Sequence, residues 1–245
     1  MTPEPATICL GCWQQLHLPV PLRGPLSVPF RLFGIRPSRM NPNTCTICEM
    51  AFTRVMKARA VTIDATVMFA DLRGYTALTQ SIERQEMMSL LDTFYDDCSA
   101  AIWRYDGLLN KTLGDAVLAI FNFPVKQPDH AAQALLAARA IQRSFAEKHD
   151  QLVQAIGVKN AAIGIGIGIG IDCGQTNFGE FGHAHRDLTA IGTVVNRAAR
   201  AQAAAKAGEI LVTGAVRDRI GDLVSGDGSD YALKGFEQPV RLFSA

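Results

Sequence analysis

Apolar side chains recur along this chain in two rhythms, one of period two and one of three to four. Ala65-Thr66-Val67-Met68-Phe69-Ala70 packs β-branched and aromatic residues densely, which predicts a buried strand that stops at Asp71. Gly74 and Thr76 then supply turn and helix-start chemistry. From Ile82 to Tyr105, Met87, Leu90, Leu91, Phe94, Tyr95, Cys98, Ile102 and Trp103 recur at three- and four-residue steps, the mark of an amphipathic helix. Cys98 belongs to its packed face as a small hydrophobe. Gly107 ends that helix, and Leu108–Leu113 and Ala116–Phe121 read as a hairpin around Gly114-Asp115. Pro124 and Pro128 break the chain before an Ala-rich helix, capped by Asp129, from His130 to about His149. Both histidines are expected at surface or cap positions. Ala162 to Gly174 alternates Ile and Gly, with Ile163, Ile165, Ile167, Ile169 and Ile171 on one sheet face. The bare face permits close approach of a helix or a ligand backbone. This run leads into no helix, so it is not a dinucleotide-binding glycine loop. Cys173 reads as a buried thiol. Two further strands are expected over Thr176–Gly182 and Arg186–Ile191, followed by a glycine turn at Gly192 and a helix start. Leu233-Lys234-Gly235-Phe236 places a cation on a turn between two short strands.

Composition changes this picture at the front end. The 245 residues, 48% hydrophobic, suit one ordinary domain plus a small extra module. Net charge is only +1, so bulk charge indicates no nucleic-acid partner. Residues 1–60, however, hold seven Lys/Arg against two Asp/Glu, and the remainder seventeen against twenty-one. The boundary is expected near residue 58, with a Pro-rich basic module over 1–58 and the main domain over 59–245; Glu49 to Arg59 reads as a short connecting helix. The first residues are polar and Pro-rich, unlike a signal peptide. The longest apolar run, Ala161 to Ile171, is half glycine and too short to span a bilayer as a helix. The expectation is a soluble cytoplasmic protein, where cysteines serve as metal ligands or buried thiols more often than as disulfides.

The front module contains Cys9-Leu10-Gly11-Cys12 and Cys45-Thr46-Ile47-Cys48. Two such pairs grip a metal from two tight knuckles, and structural Zn²⁺ is the leading occupant. An iron–sulfur cluster and unliganded thiols are the alternatives. A c-type haem is not expected, because Trp13 and Glu49 stand where its attachment motif needs His. The span carries Pro19, Pro21, Pro25, Pro29, Pro37 and Pro42, and a metal staple supplies stability that such a sequence lacks. Arg23, Arg31, Arg36 and Arg39 make the module basic, but no recognition helix or stacked aromatic series accompanies them. A docking or sensory role is therefore expected rather than nucleic-acid binding. In the main domain, Asp71 at a strand end and Asp115 in a tight hairpin are two rigidly held carboxylates. Brought together, they suit a pair of hard cations about 4 Å apart, the arrangement used for displacement at phosphorus. Asn196 and Arg200, four residues apart, share one helical face, where a carboxamide and a guanidinium hold a ribose and a phosphate.

Five blocks stand in order: FADLRGYT, KTLGDAVLAIF, the glycine-rich strand, LTAIGTVVNRAAR, and LKG before a terminal strand. Over about Thr62 to Leu242 the sequence resembles the catalytic domain of class III nucleotidyl cyclases. The resemblance implies an α+β fold with a ferredoxin-like βαββαβ core. It also implies a head-to-tail homodimer with two active sites in its interface. Asp71 and Asp115 match the aspartates that hold two Mg²⁺ or Mn²⁺, with backbone carbonyls of Phe69 and Ala70 nearby. Lys111 and Thr189 match the two purine-reading positions, Asn196 the ribose-orienting residue, Arg200 the transition-state arginine, and Lys234 the triphosphate-binding lysine. A lysine donor suits adenine N1, an acceptor, whereas guanine presents N1–H and needs a carboxylate.

The implied reaction is conversion of ATP to 3′,5′-cyclic AMP and pyrophosphate. The ribose 3′-oxygen attacks the α-phosphorus in line, and Arg200 of a second copy stabilises the growing charge. The other readings are a guanylate or mixed-specificity cyclase and a catalytically silent nucleotide-binding regulatory module. Two positions depart from the family pattern: Thr193 follows Gly192 where Asp is usual, and Gln175 replaces a charged residue.

Overall fold

The computed structural model describes residues 6–51, 60–80, 82–155 (backbone alone over 149–155), 165–181 and 187–245. The front module comprises α1 (Leu10–Leu16), a 3₁₀ turn (Pro25–Ser27), α2 (Val28–Leu32) and α3, described over 46–51. The rest of the helix expected to Arg59 lies outside the described residues. The main domain runs β1 (Val61–Arg73), α4 (Tyr75–Leu78), α5 (Arg84–Arg104), β2 (Leu108–Leu113), β3 (Ala116–Phe121), α6 (His130–Ala155), β4 (Gly166–Phe181), β5 (Asp187–Ile191), α7 (Thr193–Ala204), β6 (Ile210–Thr213), α8 (Gly214–Ile220), β7 (Ser229–Tyr231) and β8 (Val240–Ser244). Among the described residues no helix is long and apolar enough to cross a membrane.

The sheet order is β2-β3-β1-β4-β6-β8-β7, with β5 paired to β4. Its first four strands, joined through α5 and α6, form the expected ferredoxin-like βαββαβ unit, and the fold is α+β. Unbroken burial of Ala65–Met68, on both faces, makes β1 an interior strand between β3 and β4. Asp71 lies opposite Ala116 of β3 and Gly168 of β4. The strand continues two residues past Asp71 to Arg73, so the carboxylate sits on the ladder rather than just beyond it.

The two faces of β4 behave differently, and this sets the position of the site. Ile167, Ile169 and Ile171 are fully buried with Phe94, Ile102, Leu135 and Ile141 of α5 and α6. Burying each such side chain contributes roughly 1.5–3 kcal/mol. The opposite face is bare. A Cβ on Gly170 would lie 2.0 Å from the Gln202 backbone nitrogen and 2.4 Å from the Ala198 oxygen. Only a side chain of hydrogen allows α7 to pack that close. The face expected to admit a helix thus admits α7, with Val194 and Ala198 against Val67 and Leu118. Ile163 lies outside the described residues.

Two expectations need correction. The strands read separately over 162–174 and 176–182 are one strand, Gly166–Phe181 among the described residues, because β1 pairs continuously across the supposed break at Ala65–Gly174 and Asp64–Gln175. His130 is not a surface residue. It is 3% exposed, with Nδ1 2.7 Å from Thr66 Oγ1 and Nε2 2.8 Å from the Arg219 guanidinium. Arginine has only donors, so Nε2 accepts, Nδ1–H donates to Thr66, and the ring is neutral. The His149 side chain lies outside the described residues.

Candidate active site and metal centre

The hairpin expected from Gly114-Asp115 forms with the strand bounds read from the sequence. Gly114 adopts φ 68°, and the Asp115 carbonyl accepts from the Leu72 amide at 3.0 Å. That contact ties the hairpin tip to the end of β1 and sets Asp115 beside Asp71. Burial, and then the neighbouring Asp115 charge, push the Asp71 carboxyl above its ordinary range. Arg73, 3.2 Å away, and the Gln202 amide, donating at 2.9 Å, pull it back down. Two partly buried carboxylates held side by side are a donor set suited to cations. Ala70, buried one residue earlier, lies between Val117 and Ile169.

A second cluster forms where β2 meets β5. Consecutive side chains on a regular strand point to opposite faces. Here Asn110 and Lys111 both reach β5, because the β2–β3 register shifts between Leu109 and Lys111. Lys111 Nζ pairs with Asp187, and Asn110 Nδ2 donates to the Leu188 carbonyl at 2.9 Å. The Thr189 hydroxyl donates to Asn110 Oδ1 at 3.2 Å. Lys111 and Thr189, 78 positions apart in sequence, are thus neighbours.

α7 is held by a contact that the sequence reading missed. Asp172 is fully buried on β4, accepting from Arg197 Nε at 2.6 Å and Thr213 Oγ1 at 2.5 Å. The signal was present: an acid in an otherwise apolar strand requires a cation partner. This pair and Gly170 fix the rotation of α7. Val194, Ala198 and Ala201 face the sheet, and Asn196 and Arg200 are exposed on the other side. Lys234 is exposed on the β7–β8 turn.

In the front module the four thiols converge. Their sulfurs lie within 4.8 Å of one another, and Cys9–Cys48, Cys12–Cys45 and Cys12–Cys48 are separated by 3.5, 3.6 and 3.3 Å. The backbone amides of Cys12 and Cys45 donate to Cys9 Sγ at 3.4 and 3.2 Å. Hydrogen bonds from Cys48 and Cys9 hold Cys45 far below the ordinary thiol range, while burial pushes Cys12 up to about 12. Clustered thiols that cannot all ionise unaided do so around a cation. Arg23 and Arg31 serve the module's own loops, donating to the Pro42 and Leu22 carbonyls at 3.3 and 3.4 Å. The module rests on the main domain through the Met40 carbonyl, which accepts from Trp103 Nε1 at 2.9 Å and the Leu109 amide at 3.0 Å. Asn43 donates to Asp106 at 2.6 Å, and Asn41 to the Gly107 carbonyl at 3.3 Å.

Residues 58–239 match the family model described as adenylate and guanylate cyclase catalytic domain. The chain belongs to this family. A Mycobacterium tuberculosis protein, the uncharacterized protein Rv1318c, is 35% identical over 182 residues, 72% of this chain. The match spans 31% of that relative, so the chain covers about a third of the length of such curated relatives. The crystal structure of the adenylyl cyclase CyaB from P. aeruginosa is similar with TM-score 0.70 and 29% identity, covering 76% of this chain and 95% of that one. The guanylyl cyclase Cya2 shares the fold with TM-score 0.65 and 22% identity, covering 76% of this chain and 92% of that one.

Within the cyclase domain the expected site residues fall into three groups. Asp71 and Asp115 are together, and so are Lys111 and Thr189. Asn196, Arg200 and Lys234 stand on exposed surface, and among the described residues no hydrogen bond or ion pair joins their side chains to either group.

Proposed function

We propose that this chain is an adenylate cyclase, forming 3′,5′-cyclic AMP and pyrophosphate from ATP at a site completed by two copies. The observation that carries the reading is the paired Asp71 and Asp115 carboxylates, with the Lys111–Thr189 cluster in the same chain and an outward-facing α7. A rigid α7 that presents Asn196 and Arg200 to solvent, while its Gln202 holds Asp71 at 2.9 Å, is the surface of one half-site. In a twofold pair, Asn196 orients the ribose of a nucleotide bound mainly to the other copy. Arg200 stabilises the charge that grows on the α-phosphate oxygens, a contact of roughly 2.7–4 kcal/mol in comparable sites. Lys234 holds the triphosphate. Lys111 donates to adenine N1.

Asp71 and Asp115 would hold two Mg²⁺ or Mn²⁺, which supply activation of the 3′-hydroxyl and neutralisation of the triphosphate when bound. The cysteines fit one Zn²⁺. Zn–S bonds of about 2.3 Å give tetrahedral S···S edges of about 3.8 Å, close to the separations seen. A single central ion fits that spacing, and a cube of irons and sulfides does not. The natural division puts the cysteine module over 1–58 and the catalytic domain over 59–245.

The test is incubation of purified protein with ATP or GTP and Mn²⁺, with chromatographic identification of the product. Cyclic AMP in excess over cyclic GMP supports the reading. Cyclic GMP alone, or no cyclic nucleotide from a folded dimer, overturns it. Metal analysis of the same sample should find one zinc per chain.

A further inference from the structure

Threonine is an ambiguous reader of a purine. Its hydroxyl donates one hydrogen and accepts two, so it serves adenine, whose exocyclic N6 donates, as readily as guanine, whose O6 accepts. At position 189 that ambiguity is removed by Asn110. The Asn110 amide can lie only one way round. Its nitrogen is 2.9 Å from the Leu188 carbonyl, which only accepts. Its oxygen therefore faces Thr189 and takes the hydroxyl hydrogen at 3.2 Å. With its hydrogen committed, Thr189 turns only lone pairs toward any base lying against it.

We infer that Asn110 is the positioning residue that gives this site its purine preference, by fixing Thr189 as a hydrogen-bond acceptor. The inference rests on the adenylate cyclase reading above and deepens it. An acceptor at 189 matches adenine N6–H and meets guanine O6 with repulsion. A neutral threonine thereby does the work of a carboxylate, without placing a charge beside the Lys111–Asp187 pair. The β2 irregularity between Leu109 and Lys111 exists to make this possible. In a regular strand Asn110 and Lys111 would point apart, and one of them would miss β5. The bulge turns both toward it, the lysine to Asp187 and the asparagine to Leu188 and Thr189. Asn110 touches no substrate in this scheme; it acts through Thr189.

The experiment compares ATP with GTP in four proteins: wild type, Asn110→Ala, Thr189→Val and the double variant. Two readouts are taken. One is kcat/KM for each nucleotide. The other is Kd for 3′-deoxy-ATP and 3′-deoxy-GTP, which lack the attacking oxygen and so report binding without turnover. Asn110→Ala leaves the hydroxyl only the distant Ala190 carbonyl at 3.5 Å, and the ATP-over-GTP preference should fall about tenfold, the worth of one oriented hydrogen bond. Thr189→Val should lose a similar factor, and the double variant should lose no more than either alone. Thr189→Asp placed in the Asn110→Ala protein should restore the preference, because a carboxylate accepts whatever its neighbours do.

Equal loss for both nucleotides in Asn110→Ala, or additive losses in the double variant, overturns the inference. Should Asn110→Ala not fold, Thr189→Val decides alone, since it leaves the bulge intact, and an unchanged preference overturns it. A wild type that binds 3′-deoxy-GTP more tightly than 3′-deoxy-ATP also overturns it. If no product forms but 3′-deoxy-ATP is preferred and Asn110→Ala erases that preference, the cyclase reading fails and the inference stands.

Discussion

The cysteine cluster and the nucleotide site use the same device in opposite ways. Each brings together anionic ligands from distant parts of the sequence. Cys9 and Cys48 are 39 positions apart, and Asp71 and Asp115 are 44 apart. The cysteines close on one another within a single chain, all four buried. The aspartates are only partly buried, and the groups proposed to oppose them, Asn196 and Arg200, face outward on α7. A structural centre is closed, whereas a catalytic centre keeps positions free for substrate. On the proposed reading, one centre is set by folding and the other by association. The first should be indifferent to protein concentration and the second governed by it.

The sharpest way to break this comparison is complementation. Asp71→Ala and Arg200→Ala should each lower turnover by at least a hundredfold, measured as cyclic nucleotide formed per chain. Mixed in equal amounts, the two inactive proteins should recover about a quarter of wild-type activity, because half the dimers are mixed and each has one intact site. Recovery should rise with total concentration. No recovery from two folded, dimeric proteins would mean that the site lies within one chain.

Removal of the zinc proposed at the cysteines should have the next largest effect. Chelation, or Cys45→Ser, should loosen the module, since metal binding supplies much of the folding free energy of such small units. Trp103 is the reporter: its indole donates to Met40 across the module–domain contact, so release should shift its emission to the red. The shift should be the same at every protein concentration, unlike the complementation. An unchanged spectrum in metal-free protein would mean that the module is held by its packing and hydrogen bonds alone.

Gly170→Ala should come third, with a stability loss of about 1–3 kcal/mol from overpacking, read by denaturant titration. The methyl has no room against the α7 backbone, so the helix must shift and carry Asn196 and Arg200 with it. Activity should therefore fall by more than the stability loss predicts. The four thiols lie in a separate cluster with Leu22, so zinc content measured on the same protein should be unchanged.

These cases also show what was legible in the sequence. The hairpin at Gly114-Asp115, the amphipathic α5 and the Ile/Gly strand could be read because each is written in neighbouring residues. So could the ordered blocks that resemble the cyclase family. The continuity of β4 could not, because Gly174 and Gln175 look like a break until β1 lies beside them. Asp172–Arg197, the Asn110–Thr189 bond and the Met40 contacts join residues 25 to 79 positions apart, and no local pattern announces such partners. The module's seat on the domain was invisible for the same reason. It is made by backbone carbonyls and asparagine amides, which carry no sequence signature.

His130 gives the smallest effect and the finest test of the cyclase half of the comparison. It was expected at a surface or cap position; it does open α6, but it is buried under β1. Thr66 faces Nδ1, Arg219 donates to Nε2, Asp64 lies 3.7 Å from Nε2, and Asp129 adds a weaker charge. Burial and then the Arg219 charge hold its pKa below the ordinary histidine value, against the opposing pull of Asp64 and Asp129. The unfolded chain therefore binds a proton at higher pH than the folded one. Stability from this group is complete above the unfolded value of about 6.5 and declines as pH falls from there toward the lower folded value. Asp64 acts in the same sense at lower pH: Arg219 holds its pKa down, so its contribution persists well below the histidine range and is lost only as the carboxyl protonates. Unfolding titrations should thus show a loss of stability beginning near pH 6.5 that His130→Gln abolishes and that Asp71→Asn leaves in place. A slope unchanged by His130→Gln would assign the loss to another group and would mean that this network does not titrate with folding.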